Sequence, residues 1–213
     1  MKIVFIDLDG TLITQRNSEF IFGLELLLKG VLKKDQITAF LKFFYHRFSD
    51  FGLIVAKKNK AYLCGLEEKK ISFLAEQYVQ RRIRRLFRSQ LIERIKIHRI
   101  SFHNLFLLTG TLDCIANPIA KELGINHVHA TRCKIENNHY TDAPPLIHPY
   151  GEEKLRFAQS IAKRFNTSLS NCIAYADSIA DLPLLLAVSH PIVVSPDRKL
   201  SKIAIQKNWE ILK

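Results

Sequence analysis

The sequence has no uncharged apolar stretch of the ~18 to 20 residues that a membrane-spanning helix needs. Its longest uncharged run, from Leu182 to Pro196, is interrupted by Pro183 and Pro191. Near the amino terminus, only four apolar residues separate Lys2 from Asp7, which is too few for the apolar core of a signal peptide. We therefore expect a soluble protein with a cytoplasmic location.

Cysteines are also few and widely separated. They form no Cys-x-x-Cys pair and no ladder with histidines at zinc spacing, so we expect four reduced thiols rather than disulfides or a structural zinc site. The four are Cys64, Cys114, Cys133 and Cys172. With 213 residues, of which 47% are hydrophobic, the chain is long enough to bury a sizeable core, which argues against disorder and coiled coil.

The positive charge is concentrated in one part of the chain. The net charge is +12, and residues 13–100 hold 19 Lys and Arg against 8 Asp and Glu, while the rest of the chain is almost neutral. Apolar residues in the basic part recur at spacings of three and four, which is typical of amphipathic helices. We therefore predict a mostly helical insert over residues 15–98, within a core formed by residues 1–14 and 99–213.

The near-neutral part alternates short apolar runs with helical stretches. This order predicts an α/β fold with a doubly wound parallel sheet, whose ligands bind beyond the carboxyl ends of the strands. The predicted strands are residues 3–6, 105–108, 127–130, 173–176 and 192–194, and the predicted helices are residues 112–123, 152–165 and 179–187. Residues 131–150 are expected to form a hairpin followed by a loop.

Two pairs of carboxylates follow predicted strands. Asp7 and Asp9 come after the first strand, and Asp177 and Asp181 come after residues 173–176. At one sheet edge these carboxylates would repel each other unless a hard cation lay among them, and Mg²⁺ fits these ligand types. Taken alone, the first pair is also compatible with an Asp-Gly turn and the second with a helix N-cap.

Two further motifs could bind an anion at the same edge. Thr109 and Gly110 follow the strand at residues 105–108 and precede a helix, so a hydroxyl and backbone N–H groups would point outward. Lys154 lies in the first turn of the helix that begins near Gly151, and its ammonium group could reach a phosphate or a carboxylate. A simple helix cap and a surface lysine are the alternative interpretations.

The order of these motifs resembles that of the haloacid dehalogenase-like superfamily, and most closely its phosphoserine-phosphatase-like branch, subfamily IB. The motifs are Asp-Leu-Asp-Gly-Thr at 7–11, Thr-Gly at 109–110, Lys154 and Asp-Ser-Ile-Ala-Asp at 177–181. The resemblance covers residues 1–12 and roughly 104–212. It implies a Rossmann-like core with a variable helical cap inserted after the first motif.

The resemblance also implies a reaction, the hydrolysis of a phosphate monoester. By similarity, Asp7 would attack phosphorus and form an aspartyl-phosphate, which divides the hydrolysis into two displacements. Asp9 would protonate the leaving oxygen and later deprotonate the attacking water. The implied cofactor is Mg²⁺.

The remaining implied roles concern phosphate and metal. Thr109, Gly110 and Lys154 would hold the phosphoryl oxygens. Asp181 would not bind the metal directly but would orient Lys154 or the water molecules of the metal. The implied metal ligands are Asp7, Asp177 and the backbone carbonyl of Asp9.

The sequence departs from the family pattern at three positions. Thr109 replaces the commoner Ser and keeps the hydroxyl, and Ala176 replaces the usual Gly before Asp177. Arg16 lies where phosphoserine phosphatases place an acidic residue for the ammonium group of their substrate. The family resemblance therefore predicts a phosphatase but does not favour phosphoserine as its substrate.

Two uses of the basic insert remain open, and a third, nucleic-acid binding, is disfavoured. It could be a lid that concentrates phosphate esters, or stretches Phe20–Val31 and Phe40–Val55 could lie on an anionic membrane surface. Nucleic-acid binding through residues 81–88 is not expected, because no nucleic-acid motif accompanies the charge. The predicted partners are a small-molecule phosphate ester and, at a membrane surface, an anionic lipid; the oligomeric state is open. The alternative to an enzyme is an anion- or membrane-binding module with a vestigial hydrolase site.

Overall fold

A computed structural model describes residues 2–52 and 55–213 and shows the predicted parallel sheet. Six strands lie side by side in the order β3-β2-β1-β6-β7-β8, and every neighbouring pair is parallel. These strands are β1 (Ile3–Ile6), β2 (Asn104–Leu112), β3 (His127–Thr131), β6 (Cys172–Ala176), β7 (His190–Val194) and β8 (Glu210–Leu212). A small antiparallel hairpin, β4 (Ile135–Glu136) and β5 (His139–Tyr140), lies in the predicted hairpin region.

The helices fall into two groups along the chain. Between β1 and β2 lie α1 (Ser18–Leu28), α2 (Lys34–Phe51), α3 (Val55–Lys58), α4 (Glu68–Arg81) and α5 (Ser89–Ile100). After β2 come α6 (Asp113–Leu123), α7 (Glu152–Arg164), α8 (Leu182–Ala187) and α9 (Arg198–Gln206). No helix in residues 2–52 and 55–213 combines the length and apolar character that crossing a bilayer would require.

The first strand lies in the centre of the sheet, and this position explains its composition. All four residues of β1 are buried, as expected for a strand of a parallel sheet that is covered on both faces. Ile6 pairs with Leu107 on one side and with Tyr175 on the other. The chain therefore leaves β1 at Asp7 in the middle of the carboxyl edge of the sheet.

The helices between β1 and β2 pack in different ways. Phe22 and Leu26 of α1 share one hydrophobic core with sheet residues such as Val4, whereas Phe43 is the one α2 residue of the described range that is fully buried. The α5 helix packs on β2, and His98 Nε2 lies 2.8 Å from the Tyr175 hydroxyl of β6. The division into a core and a cap at residue 98 stays a prediction, and these α5 contacts favour a boundary nearer residue 88.

Several element boundaries differ from the predicted ones. The strand predicted to end at Leu108 continues to Leu112 with a register irregularity, so the Thr109-Gly110 motif lies inside β2. The helix predicted over 179–187 is a 3₁₀ turn over Ile179–Asp181 followed by α8. Strand β8 was not predicted. Residues 53 and 54 of the stretch proposed for membrane contact lie outside the described residues.

Candidate active site

Asp7 and Asp177 lie side by side because they follow neighbouring central strands. Each directly follows its strand, β1 or β6, and both side chains are buried. The Thr11 hydroxyl lies 3.2 Å from Asp7 Oδ2 and 3.3 Å from Asp177 Oδ1. A hydroxyl has one proton, so it donates to one of these oxygens at a time. Burial, together with the Asp7 and Asp181 carboxylates, raises the pKa of Asp177 to about 7.

Lys154 provides the buried positive charge of the site. Its Nζ lies 2.7 Å from Asp7 Oδ1 and 2.9 Å from Asp181 Oδ1, and all three side chains are buried. Burial alone would lower the pKa of Lys154, but the Asp181 and Asp7 carboxylates outweigh it and raise that pKa. Burial raises the pKa of Asp181 to about 6, against the opposing effect of Lys154. The lysine thus holds one oxygen of Asp7 in a fixed orientation.

Asp9 has hydrogen-bond partners that differ from those of this cluster. Its Oδ1 accepts a hydrogen bond from the Ser18 backbone N–H (3.2 Å), and its Oδ2 accepts one from the Thr111 hydroxyl (2.9 Å). Burial raises the pKa of Asp9 to about 6, although the hydrogen bonds from Ser18 and Thr111 act in the opposite direction. A carboxyl group with such a pKa can release and take up a proton near neutral pH.

Gly10 is required at its position by both backbone conformation and space. Its φ of +79° lies in the left-handed region, and a Cβ added there would lie 2.2 Å from Asp177 Oδ2. The Gly10 carbonyl also accepts a hydrogen bond from the Arg88 guanidinium at 3.2 Å. The Asp-x-Asp-Gly-Thr turn therefore leaves room for the carboxylate of the neighbouring strand.

Thr131 hydrogen-bonds to the Thr109-Gly110 segment, and His148 in turn hydrogen-bonds to Thr131. The Thr131 hydroxyl donates to the Gly110 carbonyl (2.6 Å) and lies 2.8 Å from His148 Nδ1. Because that hydroxyl proton is used by Gly110, His148 must donate through Nδ1–H. Burial and nearby lysines lower the pKa of His148 to about 3, so the ring is neutral at ordinary pH. The Thr109 hydroxyl itself accepts from the Thr111 N–H at 3.2 Å.

The residues at this edge fit a magnesium ion that is bound by few protein ligands. Asp7 Oδ2 and Asp177 Oδ1 face the same hydroxyl, and no N–H of the described residues donates to the Asp9 carbonyl. In the described part of the chain, no three His, Cys, Asp or Glu side chains are gathered as a metal cage. Two carboxylates and one carbonyl suit Mg²⁺, which usually keeps several waters.

Sequence reasoning missed several polar contacts of the site. Thr11, Thr111 and Thr131 each hydrogen-bond to a predicted site residue, and Ser18 presents the start of α1 to Asp9. Arg16, which was noted only as a departure from the family pattern, has its Nε 3.5 Å from Asp177 Oδ2. Of these contacts, only that of Thr11 had a sequence signal, since this residue closes the first motif.

The fold and the site define an α/β enzyme with a carboxylate-rich edge on a doubly wound sheet. The model of the haloacid dehalogenase-like hydrolase family matches residues 4–186, and the chain belongs to that family. A "probable phosphatase" of Mycobacterium tuberculosis is 30% identical over 217 residues, spanning 98% of this chain and 74% of its own length.

Solved structures show the same fold. A protein of unknown function from Bordetella pertussis Tohama I has a TM-score of 0.83 at 21% identity and covers 100% of this chain and 98% of its own. A substrate-bound phosphoserine phosphatase complex has a TM-score of 0.64 at 17% identity, with coverage of 99% and 92%. These structures confirm the predicted Rossmann-like sheet, and the match to the family model confirms the predicted family and shows that the protein is a hydrolase.

Proposed function

We propose that this protein is a Mg²⁺-dependent phosphatase that hydrolyses a phosphate monoester through an aspartyl-phosphate on Asp7. The observation that carries the proposal is that Asp7 and Asp9 contact different sets of residues. Asp7 faces Lys154 and Asp177, whereas Asp9 is held by Ser18 and Thr111. Two carboxylates with different surroundings suit two different roles, one as a nucleophile and one as an acid and base.

In the first half-reaction, an Asp7 oxygen attacks phosphorus and the bond to the leaving oxygen breaks. Asp9, which is near neutral pH partly protonated, gives its proton to that leaving oxygen. Lys154, Thr109 and the Gly110 N–H offset the charge that develops on the phosphoryl oxygens. In the second half-reaction, Asp9 takes a proton from water, the water oxygen attacks phosphorus, and inorganic phosphate leaves with Asp7 regenerated.

The proposed metal ligands are Asp7, Asp177 and the Asp9 carbonyl. When bound, Mg²⁺ would neutralise phosphoryl charge and orient the phosphoryl group. Asp181 would keep Lys154 in position from behind, since the two charges lie 2.9 Å apart. The buried ion pairs of the site and the family pattern support these proposed roles.

The substrate class that we propose is a small phosphate monoester. The match to a relative named as a probable phosphatase and the shared fold of a phosphoserine phosphatase support this class. The alternative of a binding module with a vestigial site is less well supported, because Lys154 is buried between carboxylates that would otherwise repel each other. A site that had lost its function would not need a buried lysine between two carboxylates.

The test is hydrolysis of an aryl phosphate by the purified chain, with and without Mg²⁺. We expect turnover that depends on the metal and falls about 10⁴-fold or more in Asp7→Asn. The matched control is Asp142→Asn, the same change at an exposed aspartate. Full activity of Asp7→Asn would refute the covalent mechanism, and turnover that is unaffected by metal removal would refute the cofactor assignment.

A further inference from the structure

The α2 helix exposes an apolar stripe to solvent. Ile37, Leu41, Phe44 and Phe48 recur at spacings of four, three and four, which places them on one face of a helix, and they are 45%, 61%, 40% and 47% exposed. Large apolar side chains usually gather on the inner face of such a helix. In α2, only Phe43 is fully buried in the described range.

The α1 helix carries a second exposed stripe. Phe20, Leu24 and Leu27 repeat at spacings of four and three, and Leu28 lies next to them; all four are exposed. On the opposite face, Phe22 and Leu26 are buried in the main hydrophobic core. We call the two sets the exposed stripes.

The charge around the exposed stripes is positive. Residues 29–58 contain seven Lys and Arg against two Asp and Glu. Lys33, Lys34 and Lys42 are exposed and form no ion pair with any residue of the described ranges. A second copy of the chain would bring the same positive charge against this region, so electrostatics disfavour self-association here.

We propose that the exposed stripes dock on the surface of an anionic phospholipid bilayer. An amphipathic helix with apolar residues on one face and lysines beside them lies in the membrane interface, and its lysines contact anionic head groups. Among anionic partners, a nucleic acid would satisfy the lysines but would leave eight large apolar side chains without partners.

The α1 stripe begins close to the candidate active site. The N–H of Ser18, the first residue of α1, donates to Asp9, and Phe20 lies two residues further along the helix. Docking would therefore hold the candidate active site close to the lipid head groups. The inference concerns binding and does not depend on the proposed phosphatase activity.

The test is cosedimentation of the full chain with vesicles of phosphatidylcholine, with or without phosphatidylglycerol. We expect binding to the anionic vesicles that weakens as salt rises. Leu41→Glu should weaken it about tenfold or more, because burial of an apolar side chain is lost and a like charge is added. Ile205→Glu, a comparable change from an aliphatic residue to Glu at similar exposure on α9, should leave binding nearly unchanged.

Two further measurements make the outcome decisive. Leu41→Gln, which adds no charge, should also weaken binding, and circular dichroism should show that all three variants remain folded. An absence of binding at low salt, or equal losses in Leu41→Glu and Ile205→Glu, would overturn the proposal. A dimer in sedimentation velocity that Leu41→Glu dissociates, without vesicle binding, would instead assign the stripes to a second copy.

Discussion

At the carboxyl edge of the sheet, charged side chains are buried, whereas on the exposed stripes of α1 and α2 large apolar side chains face solvent. Each buried charge has a partner within the chain, as Lys154 does with Asp7 and Asp181. The apolar side chains of the stripes, such as Leu41 and Phe20, have no such cover in the described structure. The comparison teaches that the buried charges of the site pair within the chain, while the apolar residues of the stripes are left exposed, as the proposed docking on a membrane surface would need.

The largest effect on stability and turnover is expected when the buried positive charge of the site is removed. Lys154→Met leaves Asp7 and Asp181 buried without a cation, so the free energy of unfolding should fall by about 3 to 5 kcal/mol and turnover should be lost. Urea unfolding and aryl phosphate hydrolysis measure the two effects. Lys42→Met, at an exposed lysine of α2, should change stability by less than about 0.5 kcal/mol. Equal effects of the two variants would remove the distinction between the regions.

The two faces of α1 allow the same substitution to be compared within one helix. Phe22→Ala should lower the free energy of unfolding by about 3 to 5 kcal/mol, since Phe22 is buried. Its ring packs on that of Tyr78, with the ring centroids 5.4 Å apart. Phe20→Ala, on the exposed stripe, should change it by about 0.5 kcal/mol or less. Urea unfolding of both variants decides the matter. A large cost at Phe20 would show that this residue is covered in the folded protein.

Substitution of two glycines with positive φ distinguishes the cost of backbone strain from the cost of a steric clash. Gly10→Ala should cost about 1 kcal/mol from its left-handed backbone and more from the clash with Asp177, and it should impair turnover. Gly30→Ala, with a similar φ of +68° but open space around it, should cost about 1 kcal/mol and leave turnover unchanged. Thermal unfolding and activity assays test both changes. The assignment of Gly10 to the site would fail if the two variants behaved alike.

An effect that depends on pH is expected from the buried histidine of α5. Burial, with His103 and Arg94 nearby, lowers the pKa of His98 to about 4, below the ordinary value of about 6.5. The unfolded chain therefore takes up this proton first as pH falls. The free energy of unfolding should accordingly decrease from about pH 6.5 to about pH 4 and be insensitive to this group above that window.

Urea unfolding across that pH range measures the effect. The decrease should be smaller in His98→Gln than in the unaltered protein. It should not vanish, because His148 has a lowered pKa as well. Identical pH dependence in the two proteins would contradict the lowered pKa of His98.

The sequence was sufficient to predict five of the six parallel strands and to place most of the candidate site residues at strand ends, because strand ends are local features. Asp7 and Asp177 follow apolar runs, and the rule that parallel strands end at one edge brings them together. It could not predict the contacts of Thr111 and Thr131, because each depends on packing between distant segments; Thr111 and Asp9 are 102 residues apart in the chain. The end of β2 was misplaced for a similar reason, since pairing with β3 extends it to Leu112.

The exposed stripes show another limit of sequence patterns. The spacing of apolar residues predicts helices in this region but not which apolar face is buried, since α1 has apolar residues on both sides. Burial of Phe22 rather than Phe20 is decided by the packing of α1 against the sheet and α4. Periodicity alone therefore could not separate a core face from a docking face.

The central claim, covalent catalysis by Asp7, is tested most directly by mass spectrometry of acid-quenched Asp9→Asn after mixing with an aryl phosphate and Mg²⁺. An aryl leaving group needs little protonation, so the first half-reaction should proceed, whereas the second should stall without a base to activate water. The account predicts one added phosphoryl group, located on Asp7 and absent in Asp7→Asn. A phosphoryl group on another residue, or turnover by Asp9→Asn with no covalent adduct, would contradict it.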